Sequence, residues 1–362
     1  MLRIAVQPFA KGVAAQTLLR QSTKVAASSR VLPQLAAPFS TSSSVAENKK
    51  RADRVPHIDQ KITAEYPNMS GPQHTTGPEF YTGDEGVHGL RTLKSFSMVG
   101  KVCVVTGGAR GLGNLMGRAL VESGCNQLAI LDLDKDDSQG AADEMVKWLE
   151  GTGGVEPGSL DIRGFACDVS REDSVAKAFN DVKAAFGKIH AVINSAGIVE
   201  NFPALEYPTD RLLKLYGINV FGSHFVSREA AKHMIADDIP GSIILVASMS
   251  GSIVNVPQPQ APYNASKAAV KHLGACLAVE WAQYGIRVNT LSPGYMLTSL
   301  TQQMFDRNAD GRELKSKWEN LIPMGKMGTP DDLKGAAVFL ASDASRYSTG
   351  SDLIVDGGYT AV

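Results

Sequence analysis

From Ser97 to Val362, short apolar runs alternate with segments of helical length, and this alternation is the strongest constraint on the fold. Amphipathic segments such as Val175–Phe186 and Ala268–Tyr284 lie between the runs. Parallel strands covered by helices on both faces read as continuous apolar runs. The sequence therefore predicts one doubly wound α/β domain with a seven-stranded parallel sheet. Its predicted strands are Val102–Val105, Leu128–Leu131, Arg163–Asp168, His190–Asn194, Ser242–Ala247, Arg287–Ser292 and Asp352–Gly357.

A glycine-rich segment directly follows the first predicted strand. Val105 ends that strand, TGGARGLG spans Thr106–Gly113, and a helix is predicted over Leu115–Ser123. Glycines let the backbone turn tightly and approach a pyrophosphate, whose charge is stabilised at a helix N-terminus. Such a stretch alone is weak evidence, but a strand before it and a helix after it are the context of a Rossmann-type dinucleotide site. The predicted phosphate-binding residues are Gly107, Arg110, Gly111, Leu112 and Gly113.

Asp132 closes the second predicted strand. A carboxylate at this place accepts hydrogen bonds from the adenosine ribose hydroxyls and repels a 2′-phosphate, which favours NAD over NADP. Two observations oppose this interpretation. Asp132 belongs to an acid-rich turn with Asp134 and Asp136, where a solvated side chain needs no ligand, and Arg110 in the glycine loop suits the 2′-phosphate of NADP. We expect NAD, with NADP as the alternative.

Tyr263 and Lys267 are four residues apart at the predicted start of a helix, so their side chains share one face. A tyrosine with a pKa of about 10 is too weak a base at neutral pH, and a neighbouring ammonium lowers that pKa. A tyrosine activated in this way exchanges a proton with an alcohol or ketone while hydride moves to or from nicotinamide. In isolation the YxxxK spacing is common and has little weight.

Several motifs in a fixed order give the spacing its weight. TGGARGLG, Asn194-Ser195-Ala196-Gly197, Asn219, a serine after the fifth strand, YNASK and Pro293-Gly294 follow one another along the chain. Together they resemble the short-chain dehydrogenase/reductase family over residues 97–362. The family's glycine motif is TGxxxGxG, and its NNAG motif is present here as NSAG.

The resemblance implies a role for each matching residue. Tyr263 would be the catalytic acid/base, Lys267 would hold the nicotinamide ribose and lower the pKa of Tyr263, and Asn219 would bind a water in a proton relay through Lys267. No metal is implied. The cofactor contacts implied beyond the glycine loop and Asp132 are Asp168, Val169, Asn194, Tyr263, Lys267, Pro293, Gly294 and Thr298.

Two serines compete for the place beside Tyr263. Ser248 is the first hydroxyl after the strand and stands three residues before Gly251, as the family pattern has it, whereas the commoner spacing of 13 from the tyrosine selects Ser250. The strand end is the firmer guide, because loop length varies. We therefore expect Ser248, and Ser250 stays open.

The loop before Tyr263 is rich in amides, which pair well with vicinal hydroxyls. Such side chains can equally face solvent. Segments Glu200–Pro208, Ser248–Gln260, Tyr263–Leu273 and Arg287–Thr298 resemble the fungal polyol dehydrogenases of the family, in particular the D-arabinitol 2-dehydrogenase type that forms D-ribulose. We expect a pentitol or hexitol and its ketose as substrates. The candidate substrate contacts are Asn201, Ser248, Asn255, Gln258 and Tyr295, with Glu200 and Gln260 nearby.

The sequence leaves two alternative functions to be weighed against a polyol dehydrogenase. A mitochondrial 3-oxoacyl carrier-protein reductase uses the same fold but would need NADPH and a basic docking patch, for which Lys271 and His272 are too little. A cofactor-sensing interaction protein without chemistry would have lost the tyrosine or the lysine, and both are present. The resemblance also implies a homotetramer or homodimer.

The N-terminal segment differs in composition from the rest. Before Glu47 it contains Arg3, Lys11, Arg20, Lys24 and Arg30 but no acidic residue, with hydroxyl residues clustered over 40–44. This pattern is typical of an organelle transit peptide. We expect a mitochondrial transit peptide over residues 1–45 and a linker or arm over 46–96, with a cytoplasmic location as the alternative.

Bulk composition excludes some partners. The net charge of −1 gives no electrostatic reason to expect nucleic acid, and no apolar run is long enough to insert into a membrane. The four cysteines have no CxxC spacing, so neither zinc nor a disulfide framework is expected. Each cysteine is expected to be a small buried core residue.

Overall fold

Parallel strand pairing organises the part of the chain that the computed structural model describes, residues 92–153, 155–306 and 309–362. These residues form a seven-stranded parallel sheet in the order β3-β2-β1-β4-β5-β6-β7. The prediction of a doubly wound Rossmann-type α/β domain is confirmed. The strands are β1 (Val102–Thr106), β2 (Gln127–Asp132), β3 (Asp161–Ala166), β4 (Ala191–Asn194), β5 (Ser242–Val246), β6 (Arg287–Pro293) and β7 (Asp352–Val355).

Helices cross over between the strands and cover the sheet. Asp134 begins one of them by accepting hydrogen bonds from the backbone N–H groups of Asp136 and Asp137, which are otherwise unpaired at a helix N-terminus. The α-helices of the described residues are α1 (Gly111–Glu122), α2 (Lys135–Gly151), α3 (Glu172–Phe186), α4 (Thr209–Tyr216), α5 (Gly222–Ala236), α6 (Ala261–Trp281), α7 (Ser299–Asp306), α8 (Ala309–Leu321) and α9 (Lys334–Ala341).

Each face of the sheet has its own buried core. Successive strand residues point to opposite faces, so Val105 packs with α1, α2 and α9 while Val104 packs with α3, α5 and α6. Burial on both faces explains why the strands are apolar without alternation. A third, smaller cluster around Phe305 and Trp318 lies among α7, α8 and the segment after β6.

The order of strands reverses between β1 and β4, where Thr106 and Asn194 pair at the ends of the two strands. In open α/β sheets, ligands bind outside the carboxyl ends of the strands at such a reversal. The fold therefore places the glycine loop, the end of β4 and the loop after β5 around one crevice.

Some predicted boundaries differ from the structure. Strand β3 begins two residues earlier than Arg163, because Asp161 and Ile162 pair with Gln127 and Leu128. Helix α6 begins at Ala261, so Tyr263 and Lys267 lie in its first two turns, as predicted. Of the cysteines, Cys276 is exposed, contrary to the expectation that all four are buried.

The described residues belong to a compact unit that spans Gly83–Val362. Phe96, expected at the end of a loose arm, packs against the core with its ring 6.3 Å from that of Phe339. The predicted transit peptide over 1–45 and most of the predicted arm over 46–96 lie outside the described residues. Within the described ranges, no helix combines the length and apolar character needed to cross a bilayer.

Candidate active site

The glycine loop forms a cradle at the N-terminus of α1. A Cβ atom on Gly107 would lie 2.8 Å from Ala196 Cα, and one on Gly113 would lie 2.3 Å from the carbonyl oxygen of Gly107. Gly111 has a φ of +63°, and a Cβ atom placed on it would have no neighbour within 4 Å, so the loop is open to a ligand on this side. The first turn of α1 contains no acidic residue. Closely packed backbone and an uncapped helix N-terminus fit a pyrophosphate, so this cradle suits a dinucleotide.

Asp132, at the end of β2, borders this cradle. Its carboxylate accepts hydrogen bonds from the N–H groups of Ala109 at 3.2 Å and of Leu133 at 2.9 Å. Arg110 is exposed and its side chain does not cap α1. The carboxylate therefore lies directly against the glycine loop, where an adenosine ribose would lie in a Rossmann-type site.

Asn194 at the end of β4 connects the two central strands. Its Oδ1 accepts a hydrogen bond from Thr106 Oγ1 at 2.7 Å, and its buried Nδ2 has no partner among the described residues. Beyond β3, Asp168 accepts two hydrogen bonds from Ser170 and Val169 is buried against Gly222. The carboxylate of Asp168 thus stabilises its own turn. Asp168 and Val169 follow the C-terminal end of β3, on the same side of the sheet as the glycine loop that follows β1.

Tyr263 lies in the first turn of α6, and the loop after β5 brings Ser248 to it. Burial raises the pKa of Tyr263, and the neighbouring Ser248 hydroxyl lowers it by less, so the net direction is upward. Gly251 permits this approach, because a Cβ there would lie 2.8 Å from the carbonyl carbon of Lys267. Ser250 instead accepts a hydrogen bond from Gln260 at 3.4 Å. Of the two serines, Ser248 is the one that lies beside the Tyr263 phenol.

Lys267 is buried below Tyr263, with Nζ 5.8 Å from the centre of the tyrosine ring. Its ammonium donates to the carbonyl oxygen of Val246 at 2.8 Å. Burial lowers the pKa of Lys267 to about 8. The expected lowering of the Tyr263 pKa by Lys267 is not found, because burial disfavours the charged form of both groups.

Asn219 occupies a π-helical turn, Gly217–Phe221, between α4 and α5. Its Oδ1 accepts from the N–H of Ile198, and its Nδ2 donates to Ile198 O and to Ser266 Oγ at 3.1 Å. A Cβ on Gly197 would lie 3.3 Å from Asn219 Oδ1 and 3.4 Å from Lys267 Nζ. Asn219 and Lys267 therefore flank the same glycine.

The lowered pKa of Lys267 predicts a specific pH dependence of stability. The folded protein releases this proton near pH 8 and the unfolded chain near 10.5, so between these values the unfolded state binds more protons and stability rises with pH. In Lys267→Met that contribution is absent. We expect the unfolding free energy of the wild type, relative to Lys267→Met, to rise by up to about 1.4 kcal/mol per pH unit over this range. Urea titrations at pH 7.5, 8.5 and 9.5 measure the difference, and a constant difference would contradict the burial argument.

The amide-rich loop before Tyr263 contains two of the candidate substrate contacts, Asn255 and Gln258, and its amides are largely bonded to other side chains. Asn255 and Gln260 are buried. Asn255 Oδ1 accepts from Gln260 at 2.9 Å and from Asn264 at 3.2 Å, while its Nδ2 donates to the hydroxyl of Tyr295 at 3.0 Å. These polar groups satisfy one another, so Asn255 builds the wall of the site rather than offering a free amide.

The end of β6 and the segment after it contain four further predicted site residues, which are Pro293, Gly294, Tyr295 and Thr298. Pro293 pairs with Val355, and Gly294 lies so close to Asp356 that a Cβ would lie 2.6 Å from its Cα. The N–H of Thr298 donates to Thr301 Oγ1 at 2.8 Å, which anchors the start of α7. Tyr295 stacks on Trp318 with ring centroids 4.1 Å apart.

The segment after β4 holds the remaining candidates. Glu200 forms an ion pair with Arg211 of α4, and Asn201 is exposed. The Tyr207 hydroxyl is buried without a hydrogen-bond partner in the described structure, and burial, followed by the charge of Glu200, raises the pKa of Tyr207. The carboxylate of Glu200 is therefore already paired, whereas Asn201 is accessible.

Sequence reasoning missed three polar residues and one aromatic residue of the site. Thr106 and Ser266 hold the two asparagines, Asn264 joins the buried amides, and Trp318 supports Tyr295. Asn264 and Ser266 are part of YNASK, so the motif contained a signal for them. Trp318 has no local signal, because its partner is far away in the sequence.

Comparison with known proteins gives consistent matches to the described domain. A family model for short-chain dehydrogenases, described as "Enoyl-(Acyl carrier protein) reductase", matches residues 107–360. D-arabinitol 2-dehydrogenase [ribulose-forming] of Candida tropicalis is 43% identical over 271 residues, which are 74% of this chain and 95% of the relative. NADH-dependent L-xylulose reductase of Ambrosiozyma monospora is 39% identical over 273 residues, 74% of this chain and 98% of the relative.

A solved structure has the same fold. A gluconate 5-dehydrogenase from Burkholderia cenocepacia J2315, in complex with NADP and tartrate, superposes with a TM-score of 0.66 at 32% identity, covering 75% of this chain and 99% of that one. The matches agree with the parallel sheet and the Rossmann-type fold. The chain therefore belongs to the short-chain dehydrogenase/reductase family and is an oxidoreductase that acts on CH–OH groups with NAD(P).

Proposed function

We propose that the protein interconverts a polyol, such as D-arabinitol, and its ketose, such as D-ribulose, with NAD as cofactor. The observation that carries this proposal is the grouping of Ser248, Tyr263, Lys267 and Asn219 beside a dinucleotide cradle. The relatives named as acting on D-arabinitol and L-xylulose support a sugar-alcohol substrate.

Side chains of the protein carry out the proton transfer. Tyr263 takes the proton from the substrate hydroxyl in oxidation and returns it in reduction, while Ser248 donates a hydrogen bond that stabilises the phenolate. Lys267, with Nζ 5.8 Å from the centre of the tyrosine ring, and Asn219, which flanks Gly197 together with Lys267, are the groups that would continue the proton path behind Tyr263. The nicotinamide of the bound cofactor supplies the hydride acceptor or donor. The geometry thus suits acid/base chemistry at a secondary alcohol.

Asp132 supports NAD rather than NADP, because its carboxylate lies against the glycine loop and would repel a 2′-phosphate. The relative named NADH-dependent agrees with this preference, while the structural neighbour binds NADP. Exposed Arg110 is the residue that would favour NADP. We propose NAD as the physiological cofactor.

An NADPH-linked 3-oxoacyl carrier-protein reductase is the second candidate function, and the description of the matching family model favours an acyl substrate. An acyl chain requires an apolar wall, whereas the wall beside Tyr263 contains the buried and mutually paired amides of Asn255, Gln260 and Asn264. A wall of this polarity suits an acyl chain less well than a polyol.

A substrate panel tests the proposal. We expect turnover of D-arabinitol or a related pentitol or hexitol with NAD, at a kcat/KM at least about tenfold above that with NADP, and no turnover of acetoacetyl thioesters. Initial rates of NADH or NADPH formation and consumption measure both directions. Turnover of acetoacetyl thioesters with NADPH, and of no polyol, would reverse the ranking.

We further propose that the protein is imported into mitochondria and assembles as a homotetramer or homodimer. The basic, hydroxyl-rich and acid-free composition before Glu47 supports the first proposal. Fluorescent tagging of the full chain against a chain lacking residues 1–45, and light scattering of the purified protein, test the two.

A further inference from the structure

Trp318 lies in a small core of its own, separate from the two cores of the sheet. This core contains the buried residues Phe305, Trp318, Ile322 and Met327. Trp318 stacks on Tyr295 at an interplanar angle of 7°, and the ring of Phe305 meets its indole edge-on at 5.4 Å. Helices α7 and α8 therefore contact the segment after β6 largely through these rings.

Gln258 connects α8 to the loop before Tyr263. An indole N–H can only donate, so the amide atom that faces it is the oxygen. In this orientation Gln258 Oε1 accepts hydrogen bonds from Trp318 Nε1 at 3.2 Å and from the Tyr295 hydroxyl at 3.0 Å, and its Nε2 donates to Val256 O at 3.1 Å. Both ends of the amide are satisfied in one orientation only.

The contact continues toward the catalytic helix. The Tyr295 oxygen accepts from Asn255, whose own oxygen accepts from Gln260 and from Asn264. Asn264 is the residue after Tyr263 in the first turn of α6. Donation thus runs from Asn264, next to the tyrosine, through Asn255 and Tyr295 to Gln258 Oε1, which also accepts the indole N–H of α8.

We propose that Trp318 and Gln258 are positioning residues that fix the substrate-side wall of the site, an inference that rests on the proposed function. The Tyr295 hydrogen is committed to Gln258, and one lone pair of its oxygen is committed to Asn255. The remaining lone pair makes the half-buried Tyr295 hydroxyl an acceptor, which favours a substrate with a hydroxyl to donate. The latch, defined as Trp318, Gln258 and Tyr295, thereby selects hydroxylated substrates.

Kinetics of conservative variants test the latch. Trp318→Phe keeps an aromatic ring against Tyr295 but removes the N–H, and Gln258→Leu removes the acceptor. Each should raise KM for the secondary alcohol that the wild type oxidises best by about fivefold or more, as expected for one hydrogen bond, and leave kcat and the NADH dissociation constant within about twofold. The double variant should be no worse than Gln258→Leu alone, because that variant already breaks the contact to Trp318. Trp148→Phe, at an exposed site on α2, is the matched control.

A spectroscopic measurement keeps the latch separate from the identity of the substrate. The protein has three tryptophans, and ¹⁵N-indole labelling with Trp318→Phe assigns the Trp318 resonance. We expect Gln258→Leu to shift this resonance and to accelerate its hydrogen exchange at least tenfold, while Trp148 and Trp281 are unchanged. An unshifted, equally protected resonance would overturn the latch, whatever the substrate. A shifted resonance with unchanged KM, or with equal losses in cofactor affinity, would overturn its role in substrate positioning.

Discussion

Tyr263→Phe is expected to lower kcat by at least about 10³-fold and to leave NADH binding unchanged. General acid–base catalysis by a positioned side chain contributes about 10²–10⁴-fold, and the phenol of Tyr263, beside Ser248, is the proposed acid/base. Phenylalanine retains the ring and removes only the hydroxyl. Ser248 keeps the hydrogen bond that its side chain accepts from the N–H of Ser250 at 3.1 Å, so the loop stays in place.

Two measurements separate this chemical effect from a structural one. Fluorescence titration with NADH should give the same dissociation constant for the variant and the wild type, and thermal unfolding should give a similar midpoint. Tyr284→Phe, at a tyrosine that is 48% exposed after α6, should have wild-type kcat. A Tyr263→Phe enzyme that retains turnover would exclude Tyr263 as the acid/base.

Asp132→Ala is expected to raise the KM for NAD by roughly 30-fold or more and to change the KM for NADP by less than about threefold. Hydrogen bonds to a charged group contribute about 1.5–3 kcal/mol each, and NAD would lose such bonds from its ribose hydroxyls. NADP gains instead from the removal of a charge that repels its 2′-phosphate. The ratio of the two KM values is therefore the informative quantity.

The ratio of the two KM values also cancels any loss of affinity that NAD and NADP share. Asp132 accepts a hydrogen bond from Ala109, so its removal loosens the glycine loop for both cofactors alike. Asp136→Ala, an exposed acid of the same turn, is the matched control and should change neither KM. Equal losses for NAD and NADP in Asp132→Ala would show that the carboxylate serves the loop and does not read the ribose.

The contacts around Tyr263 show where sequence interpretation stops. Tyr263 and Lys267 were predictable as a pair because both lie on one helix, where spacing determines the shared face. Ser248 and Ser250 were not separable in this way, since a loop has no fixed period. In the structure Ser248 lies beside the phenol, and Gly251 of the same loop packs against the backbone of Lys267.

The direction in which the Tyr263 pKa is shifted is a second feature that spacing along the chain does not reveal. The sequence suggested that Lys267 would lower it, because an ammonium stabilises a phenolate. Burial acts on both groups and is invisible in spacing, so the pKa of Tyr263 is raised and that of Lys267 falls to about 8.

The amide-rich loop is a third case. Asn255, Gln258 and Gln260 have the same composition whether they face a sugar or one another. Only their positions in space show that they pair with Asn264, Tyr295 and Trp318.

The sequence by itself determined the parallel sheet, the dinucleotide cradle and the Tyr263–Lys267 pair, because each depends on local period or on residues close together in the chain. The tertiary structure alone decided which serine meets the tyrosine, which amides are already paired, and that Trp318 reaches the wall of the site. Those features depend on hydrogen-bond direction and burial between distant segments, and neither is encoded in spacing along the chain.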